Sequence, residues 1–402
     1  ASGGTTASGG TTASGGTTAS GGTTASGGTT ASGGTTASGG TTASGGTTAS
    51  GGTSGTGGTT GGRAPFVPTG PKITATEGAW TWIDFPNTQC RDGSAAGIAV
   101  SLRPASKKVM VYLEGGGACF NSTTCGLNPA NVASQKGAQT GGLFDRTQAA
   151  NPVRDWSYVY VPYCTGDVHA GTNASGSISG VTGTQRFVGR LNMEKFLHRV
   201  VPTFADADQV LLTGVSAGGF GAAANADFVQ WAFGDIPVTL IDDSGPPMSS
   251  TYLPTCLQDA WRTTWGLDGS ILADCGAACP KQNDYLIDYS KYLAAKFSDR
   301  RAGLIETTAD SVITLFYGYG ANNCAPVFLL PTVMSGATFT AGLQDFRTTM
   351  NPYPNFGTYY ITGTTHTWLG GASLYTQTTK NVKLIDWVTG IVNGTSSADV
   401  GP

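Results

Sequence analysis

The pattern of apolar and polar positions changes several times along the chain. Residues 80–85 (WTWIDF) and 97–104 (GIAVSLRP) alternate between the two kinds, which predicts an antiparallel hairpin. Later runs are rich in β-branched and aromatic residues, as is typical of strands buried on both faces of a parallel sheet. These runs span 107–115, 156–164, 208–216, 236–244, 304–311 and 358–366.

Helical patterns separate several of these runs. The clearest are residues 192–204 (NMEKFLHRVVPTF), 219–233 (GFGAAANADFVQWAF) and 382–392 (VKLIDWVTGIV). Strands that alternate with helices predict an α/β fold with a doubly wound, mostly parallel sheet.

The first 62 residues form a low-complexity repeat. Residues 1–48 are eight copies of ASGGTT, and the remainder to residue 62 is a decaying Gly/Ser/Thr-rich continuation without charged, aromatic or large aliphatic residues. Such a segment cannot build a core, so one interpretation is a flexible tether. The other is a stalk or filament in which copies stack as extended strands, with Thr hydroxyls hydrogen-bonded or glycosylated. We therefore divide the chain into a repeat, 1–62, and a globular domain, 63–402.

Charge and hydropathy exclude two classes of partner. The chain has 22 Lys and Arg against 25 Asp and Glu, a net charge of −3, and no basic run of the kind that follows a phosphate backbone. We therefore expect no nucleic-acid partner. No run of 18 apolar residues occurs, and no signal peptide is visible at Ala1, so we expect no membrane span and the mature form of a secreted chain.

All eight cysteines lie in the globular domain. An even number of cysteines predicts disulfides and an oxidising, extracellular compartment. The close pairs lack the CxxC spacing and histidine neighbours of a zinc site, so we expect no metal.

The segment GVSAG at 214–218 fits the GxSxG motif of a nucleophile elbow. It follows the apolar run QVLLTG and precedes a helical pattern, as a strand-turn-helix elbow requires. The motif makes Ser216 the candidate nucleophile.

A glycine-rich loop, YLEGGGACF at 112–120, follows an earlier predicted strand. Its glycine N–H groups, beside that of Ala217, can approach a developing oxyanion without obstruction by side chains. A phosphate-binding loop is the alternative, but neither GxGxxG nor GxxxxGK[ST] is present. Glu114 is open to two interpretations, a catalytic acid or a buried structural carboxylate.

The chain has three histidines, which narrows the choice of general base. His198 lies within a helical pattern, and His169 lies upstream of the serine in the loop CTGDVHAG. His366 follows a predicted strand and comes after Ser216, so it satisfies the chain order nucleophile, acid, histidine.

Three aspartates lie at strand ends between Ser216 and His366. Asp310 comes just before a turn, where an α/β sheet presents an acid to the histidine, and we select it as the acid. Asp242 and Asp243 are then expected to support the elbow through hydrogen bonds.

Five motifs in order, YLEGGGACFNSTTC, VPYCTGDVHAG, LLTGVSAGG, TTADS and TTHTW, resemble the pectin acetylesterase and Notum carboxylesterase family over about residues 72–395. The resemblance implies an α/β-hydrolase fold and a triad of Ser216, Asp310 and His366. It also implies oxyanion donors and disulfides: Gly116, Gly117 and Ala217 for the former, Cys119 to Cys125 and Cys90 to Cys164 for the latter. The pairing of Cys256, Cys275, Cys279 and Cys324 stays open. Many family members have a bulky aromatic residue where this chain has Ala118, so we expect an altered acyl pocket.

The sequence thus favours a secreted serine carboxylesterase, deacetylase-like, that uses no cofactor. Its expected substrate is a small ester or an acylated extracellular polymer such as an acetylated polysaccharide. The alternative is a structural stalk or filament subunit that self-assembles through the repeat and carries the esterase-like domain as decoration.

Overall fold

The computed structural model describes residues 63–132, 136–280, 284–327 and 330–402. The ASGGTT repeat lies outside these residues, and so do the tether, stalk and self-assembly predictions. Within the described part of the chain, Phe66–Pro402 belong to one structural unit.

The centre of this unit is an eight-stranded sheet in the order β8-β7-β6-β5-β3-β4-β2-β1. Strands β3 to β8 pair in parallel, whereas β2 pairs antiparallel with both β1 and β4. The predicted hairpin is therefore confirmed at one edge. Each of the six predicted buried runs overlaps a strand, although the last two strands begin two residues before the predicted runs. The bounds are β1 Trp80–Phe85, β2 Ala96–Ser101, β3 Lys108–Leu113, β4 Ser157–Val161, β5 Gln209–Val215, β6 Val238–Asp243, β7 Ala302–Thr307 and β8 Phe356–Ile361.

Helices flank the sheet, and no helix in the described ranges is long and apolar enough to cross a membrane. The three helical patterns are confirmed as α2, α3 and α9, although the last begins at Leu384 because Val382–Lys383 form a short strand. The bounds are α1 Ser122–Gly126, α2 Gly189–Thr203, α3 Ala217–Phe233, α4 Thr255–Trp265, α5 Ile271–Cys275, α6 Tyr285–Lys296, α7 Ile313–Tyr317, α8 Gly336–Met350 and α9 Leu384–Val392. The remaining strands are Asn173–Gly176 paired with Gln185–Phe187, and Thr378–Thr379 paired with Val382–Lys383.

Both faces of the sheet are covered by apolar residues. In β5, Val210 and Leu212 join the core on one face, which includes α3, while Leu211 joins the core on the other, which includes α9. Alternate residues of a strand point to opposite faces, so a strand buried on both sides is apolar at most of its positions. The predicted α/β-hydrolase-like, mostly parallel sheet is confirmed.

The sheet brings three strand ends together at its carboxyl edge. Ser216 directly follows β5, Asp310 follows β7 after a short turn, and His366 follows β8 in the same way. Because parallel strands end at one edge of a sheet, residues far apart in sequence can meet there.

Within the described residues, the eight cysteines form four disulfides. Cys90–Cys164 and Cys119–Cys125 are the two pairs that the resemblance implies. The pairing left open is Cys256–Cys324 and Cys275–Cys279. The third bridge ties α4 to the segment after α7.

Candidate active site

Ser216 lies on the sharp turn between β5 and α3. Its backbone has φ 59° and ψ −124°, a strained conformation for a residue with a side chain. A Cβ at Gly214 would lie 2.4 Å from the Gly218 carbonyl oxygen, and one at Gly218 would lie 2.0 Å from that of Leu113. The glycines of the GxSxG motif are therefore a packing requirement of this turn.

The Asp310 carboxylate is fully buried and contacts His366. Its Oδ2 lies 2.7 Å from His366 Nδ1. Its Oδ1 accepts hydrogen bonds from the backbone N–H groups of Val312 and Ile313 at 2.8 and 2.9 Å, which fix the orientation of the carboxylate. Because the Asp310 carboxylate accepts a hydrogen bond at Nδ1, a neutral His366 imidazole carries its proton on Nδ1. The other nitrogen, Nε2, is then free to accept a proton.

Asp243, at the end of β6, links the nucleophile turn to the histidine loop. Its carbonyl oxygen accepts the Ser216 N–H at 2.7 Å. Its Oδ2 accepts the N–H groups of Trp368 and Leu369, both at 2.7 Å, two and three residues after His366. Burial raises the pKa of Asp243 to about 6, although these hydrogen bonds work against the shift. The contacts match the supporting role expected for Asp243.

Two further buried carboxyl groups, Asp242 and Glu306, lie on the same strands as the site. Burial raises the pKa of each well above its ordinary value. The charge of Asp243 adds to the shift of Asp242, and the charge of Asp310 adds to that of Glu306. In both groups, burial disfavours the charged form. A Cβ at Gly219 would lie 2.3 Å from Asp242 Oδ1, so Asp242 packs directly against the first turn of α3.

The glycine-rich loop runs beside the nucleophile. A Cβ at Gly115 would lie 2.6 Å from the Val215 carbonyl oxygen and 3.0 Å from Ser216 Cβ. Gly116 and Gly117 have φ values of 149° and 79°, which side chains disfavour. The expected oxyanion loop therefore lies against the elbow, and the donor roles of Gly116, Gly117 and Ala217 stay a prediction.

Glu114 precedes this loop, and its Oε2 accepts the Tyr163 N–H at 2.8 Å. Of the two interpretations of Glu114, this contact favours the structural one.

A mostly apolar cavity of about 70 Å³ opens beside Ser216. Ala118 is part of its wall, at the position where the resemblance predicts an altered pocket. Its lining residues come from six separate stretches of the chain: Gly117, Ala118, Val168, Ala170, Ser216, Ala217, Phe220, Ala224, Trp261, Trp265, Leu267, Ile271, Tyr285, Leu286, Ile313, Phe316 and Tyr317.

The part of this cavity contributed by α4 to α7 is not predicted by the sequence pattern. In α4 a signal was present, because Leu257, Trp261 and Trp265 recur every four residues and are all buried. The two tryptophan rings stack with a centroid separation of 5.8 Å. The periodicity predicts an amphipathic helix, but it does not reveal that its apolar face lines the cavity beside Ser216.

The two other histidines have separate surroundings. His198 is partly exposed and its Nδ1 accepts the Thr69 N–H at 3.2 Å, away from the cavity. His169 is buried between Val168 and Ala170, two residues of the cavity wall. Among the described residues, no group of three or more His, Cys, Asp or Glu side chains could hold a metal ion.

The chain is similar to known proteins in sequence. A pectinacetylesterase family profile matches residues 79–282, about half of its 402 residues. Palmitoleoyl-protein carboxylesterase NOTUM of Drosophila melanogaster is 29% identical over 213 residues, which are 48% of this chain and 32% of that protein. Palmitoleoyl-protein carboxylesterase notum2 of Xenopus laevis is 34% identical over 150 residues, 35% of this chain and 30% of that protein. The matches span about a third of the length of these curated relatives.

The fold is also similar to a solved structure. The Wnt deacylase Notum from Drosophila, in crystal form II, aligns with a TM-score of 0.59 and 20% identity, covering 79% of this chain and 94% of that chain. At this identity the likeness shows a shared fold.

Proposed function

Because the chain belongs to the pectinacetylesterase family, we propose that its globular domain is a serine carboxylic ester hydrolase. The observation that carries the proposal is the convergence of Ser216, on a strained elbow, with the hydrogen-bonded Asp310–His366 pair at one edge of the sheet. A nucleophile after β5, a base after β8 and an orienting acid after β7 are the parts that acyl transfer through a serine requires.

In this mechanism the Ser216 hydroxyl attacks the ester carbonyl carbon while His366 Nε2 accepts its proton. The backbone N–H groups of Gly116, Gly117 and Ala217 stabilise the oxyanion, and Asp310 stabilises the imidazolium. His366 then returns the proton to the departing alcohol, which leaves an acyl group on Ser216. Water, deprotonated by His366, releases the acid and restores the enzyme.

The cavity beside Ser216 indicates the size of the acyl group. An acetyl group would leave most of its apolar wall without contact. We propose that a longer hydrocarbon chain occupies it, as the name palmitoleoyl-protein carboxylesterase suggests for the relatives. Four disulfides within one domain favour an extracellular site of action, where acylated polymers are accessible.

A chain-length series of p-nitrophenyl esters tests this proposal. We expect kcat/KM for the octanoate to exceed that for the acetate by at least about 10-fold, or about 1.4 kcal/mol. Burial of only two methylene groups, at about 0.8 kcal/mol each, is enough to produce this preference. Equal kcat/KM values would contradict the longer acyl chain, and absence of turnover for every ester would contradict the hydrolase.

Ala224, on α3 in the cavity wall, offers a matched pair of variants. Ala224→Leu fills part of the cavity, so we expect it to lower kcat/KM for the octanoate about 10-fold and to change that for the acetate much less. Ala174→Leu, at an exposed position, is the control and should leave both values unchanged. An equal loss for both esters in Ala224→Leu would show that the cavity does not hold the acyl chain.

A further inference from the structure

His169 is a buried histidine that the proposed reaction does not use. Its Nε2 lies 2.9 Å from the carbonyl oxygen of Glu114. A carbonyl oxygen can only accept, so Nε2 carries the proton and donates this hydrogen bond. Burial lowers the pKa of His169 to about 4, so the ring is neutral at physiological pH and the tautomer is set by this contact.

The backbone around His169 is held in an unusual conformation. Val168 and His169 have φ values of 48° and 58°, in the left-handed region that side chains disfavour. Two glycines make room for the histidine: a Cβ at Gly189 would lie 2.5 Å from His169 Cα, and one at Gly221 would lie 2.9 Å from His169 Cβ. Strain of this kind persists only where the surroundings determine it, and it concentrates at functional sites.

Buried polar contacts anchor His169 to the helices behind the cavity. Its carbonyl oxygen accepts a hydrogen bond from Asn225 Nδ2 at 2.9 Å, and Asn225 Oδ1 accepts one from Arg190 Nε at 3.0 Å. Arg190 in turn pairs with Asp274 of α5. The ring also packs on Tyr163, with a centroid separation of 4.7 Å. The backbone of His169 is therefore connected to α2, α3 and α5, and its ring is held between Tyr163 and the Glu114 carbonyl oxygen.

The group that His169 holds directly precedes the glycine-rich loop. Glu114 is followed by Gly115, Gly116 and Gly117, residues whose backbones have the widest conformational freedom. A second side chain holds the same loop, since Asn128 Nδ2 donates to the Gly116 carbonyl oxygen at 2.7 Å. Each fixed carbonyl oxygen also fixes the plane of its peptide bond, including the N–H group that follows.

We propose that His169 is a positioning residue for the oxyanion hole. By holding the Glu114 carbonyl oxygen, its Nε2–H fixes the peptide plane that joins Glu114 to Gly115, at the start of the loop, while Asn128 fixes the plane that carries the Gly117 N–H. The two anchors together limit the orientations of Gly116 and Gly117 beside Ser216. This inference rests on the proposed function. It assigns His169 an effect on the transition state, and therefore on kcat, with little effect on substrate binding.

Two amide variants separate positioning from structural support. The Gln side chain carries an N–H near the place of histidine Nε2, whereas Asn is too short to reach the Glu114 carbonyl oxygen. Asn, however, tolerates a left-handed backbone better than Gln does. If His169 positions the loop, His169→Gln is the more active of the two variants. If its role is purely structural, His169→Asn is at least as active as His169→Gln.

We expect His169→Asn to lower kcat about 10- to 100-fold with KM within about 3-fold, a smaller effect than loss of an oxyanion donor. His169→Gln should stay within about 3-fold of the wild-type kcat. His198→Asn, a change at a histidine outside the site, is the control and should match wild type. A folded His169→Asn with wild-type kcat, or equal losses in both His169 variants, would overturn the inference.

A third variant keeps the test valid if His169→Asn does not fold. The Tyr163 hydroxyl accepts the Val168 N–H at 2.8 Å, so Tyr163→Phe loosens the histidine loop without a change of shape. We expect a lower kcat with unchanged KM, and a wild-type kcat would again overturn the inference. Ser216→Ala in the same assay separates the two proposals, because wild-type activity in that variant contradicts the proposed serine mechanism and not the role of His169 alone.

Discussion

Ser216→Ala is expected to lower kcat for p-nitrophenyl octanoate by about 10⁵-fold or more, because the nucleophile of the proposed reaction is lost. The fold should be retained. The backbone N–H of Ser216 bonds to the Asp243 carbonyl oxygen at 2.7 Å whatever the side chain, and alanine has the same tolerance of the turn as serine. Steady-state kinetics with a thermal unfolding curve of the same sample measure both properties.

Ser311→Ala is the matched control for this change. Ser311 is exposed and directly follows the proposed acid, so it controls for the loss of a hydroxyl close to the site. We expect wild-type kcat and KM for this variant. Comparable activity in wild type and a folded Ser216→Ala would exclude Ser216 as the nucleophile.

The second large effect is expected at Asp310. In Asp310→Asn the amide keeps the size of the carboxylate, but it can neither hold the proton on His366 Nδ1 nor stabilise the imidazolium. Loss of the tautomer in this way lowers kcat about 10⁴-fold, so we expect a loss of thousands-fold with little change in substrate binding. The kcat and KM of a folded sample measure the effect.

Asp243→Asn is the matched comparison for Asp310→Asn. The asparagine carbonyl oxygen can still accept the N–H groups of Trp368 and Leu369. Burial already raises the pKa of Asp243 to about 6, so exchange of the carboxylate for a neutral amide is a smaller change. We expect about a 10-fold loss of rate, near 1.4 kcal/mol, together with lower thermal stability. A larger loss of kcat in Asp243→Asn than in Asp310→Asn would assign the acid to Asp243.

The elements of this fold could be predicted where their sequence pattern is local. In β5 every residue from Val210 to Leu212 is apolar because both faces are buried, and the run is visible without knowledge of its neighbours. The GxSxG motif of the elbow is also visible locally in the sequence, although the contact that requires glycine at 218 is with Leu113 of β3. The chain order nucleophile, acid, histidine then favours His366, the histidine that follows Ser216.

Contacts between distant segments could not be predicted in this way. Asp243 contacts both the nucleophile turn and the loop after His366. These contacts depend on the register that places Asp243 opposite Val215 on the neighbouring strand, and on the path of the loop after β8. The cavity wall depends on how α4 and α7 pack, and the Cys256–Cys324 bridge between these segments has no signal in cysteine spacing. Periodicity indicates the type of an element and its buried face, but it does not identify the partner.

The central claim, a nucleophilic serine at the elbow, is tested most directly by covalent labelling. A serine-directed fluorophosphonate reacts with the activated hydroxyl, and mass spectrometry of the intact protein and its peptides counts and locates the adducts. The account predicts one adduct, on Ser216, that forms in step with the loss of esterase activity and is absent from a folded Ser216→Ala. An adduct on another serine, with loss of activity in proportion, would contradict it.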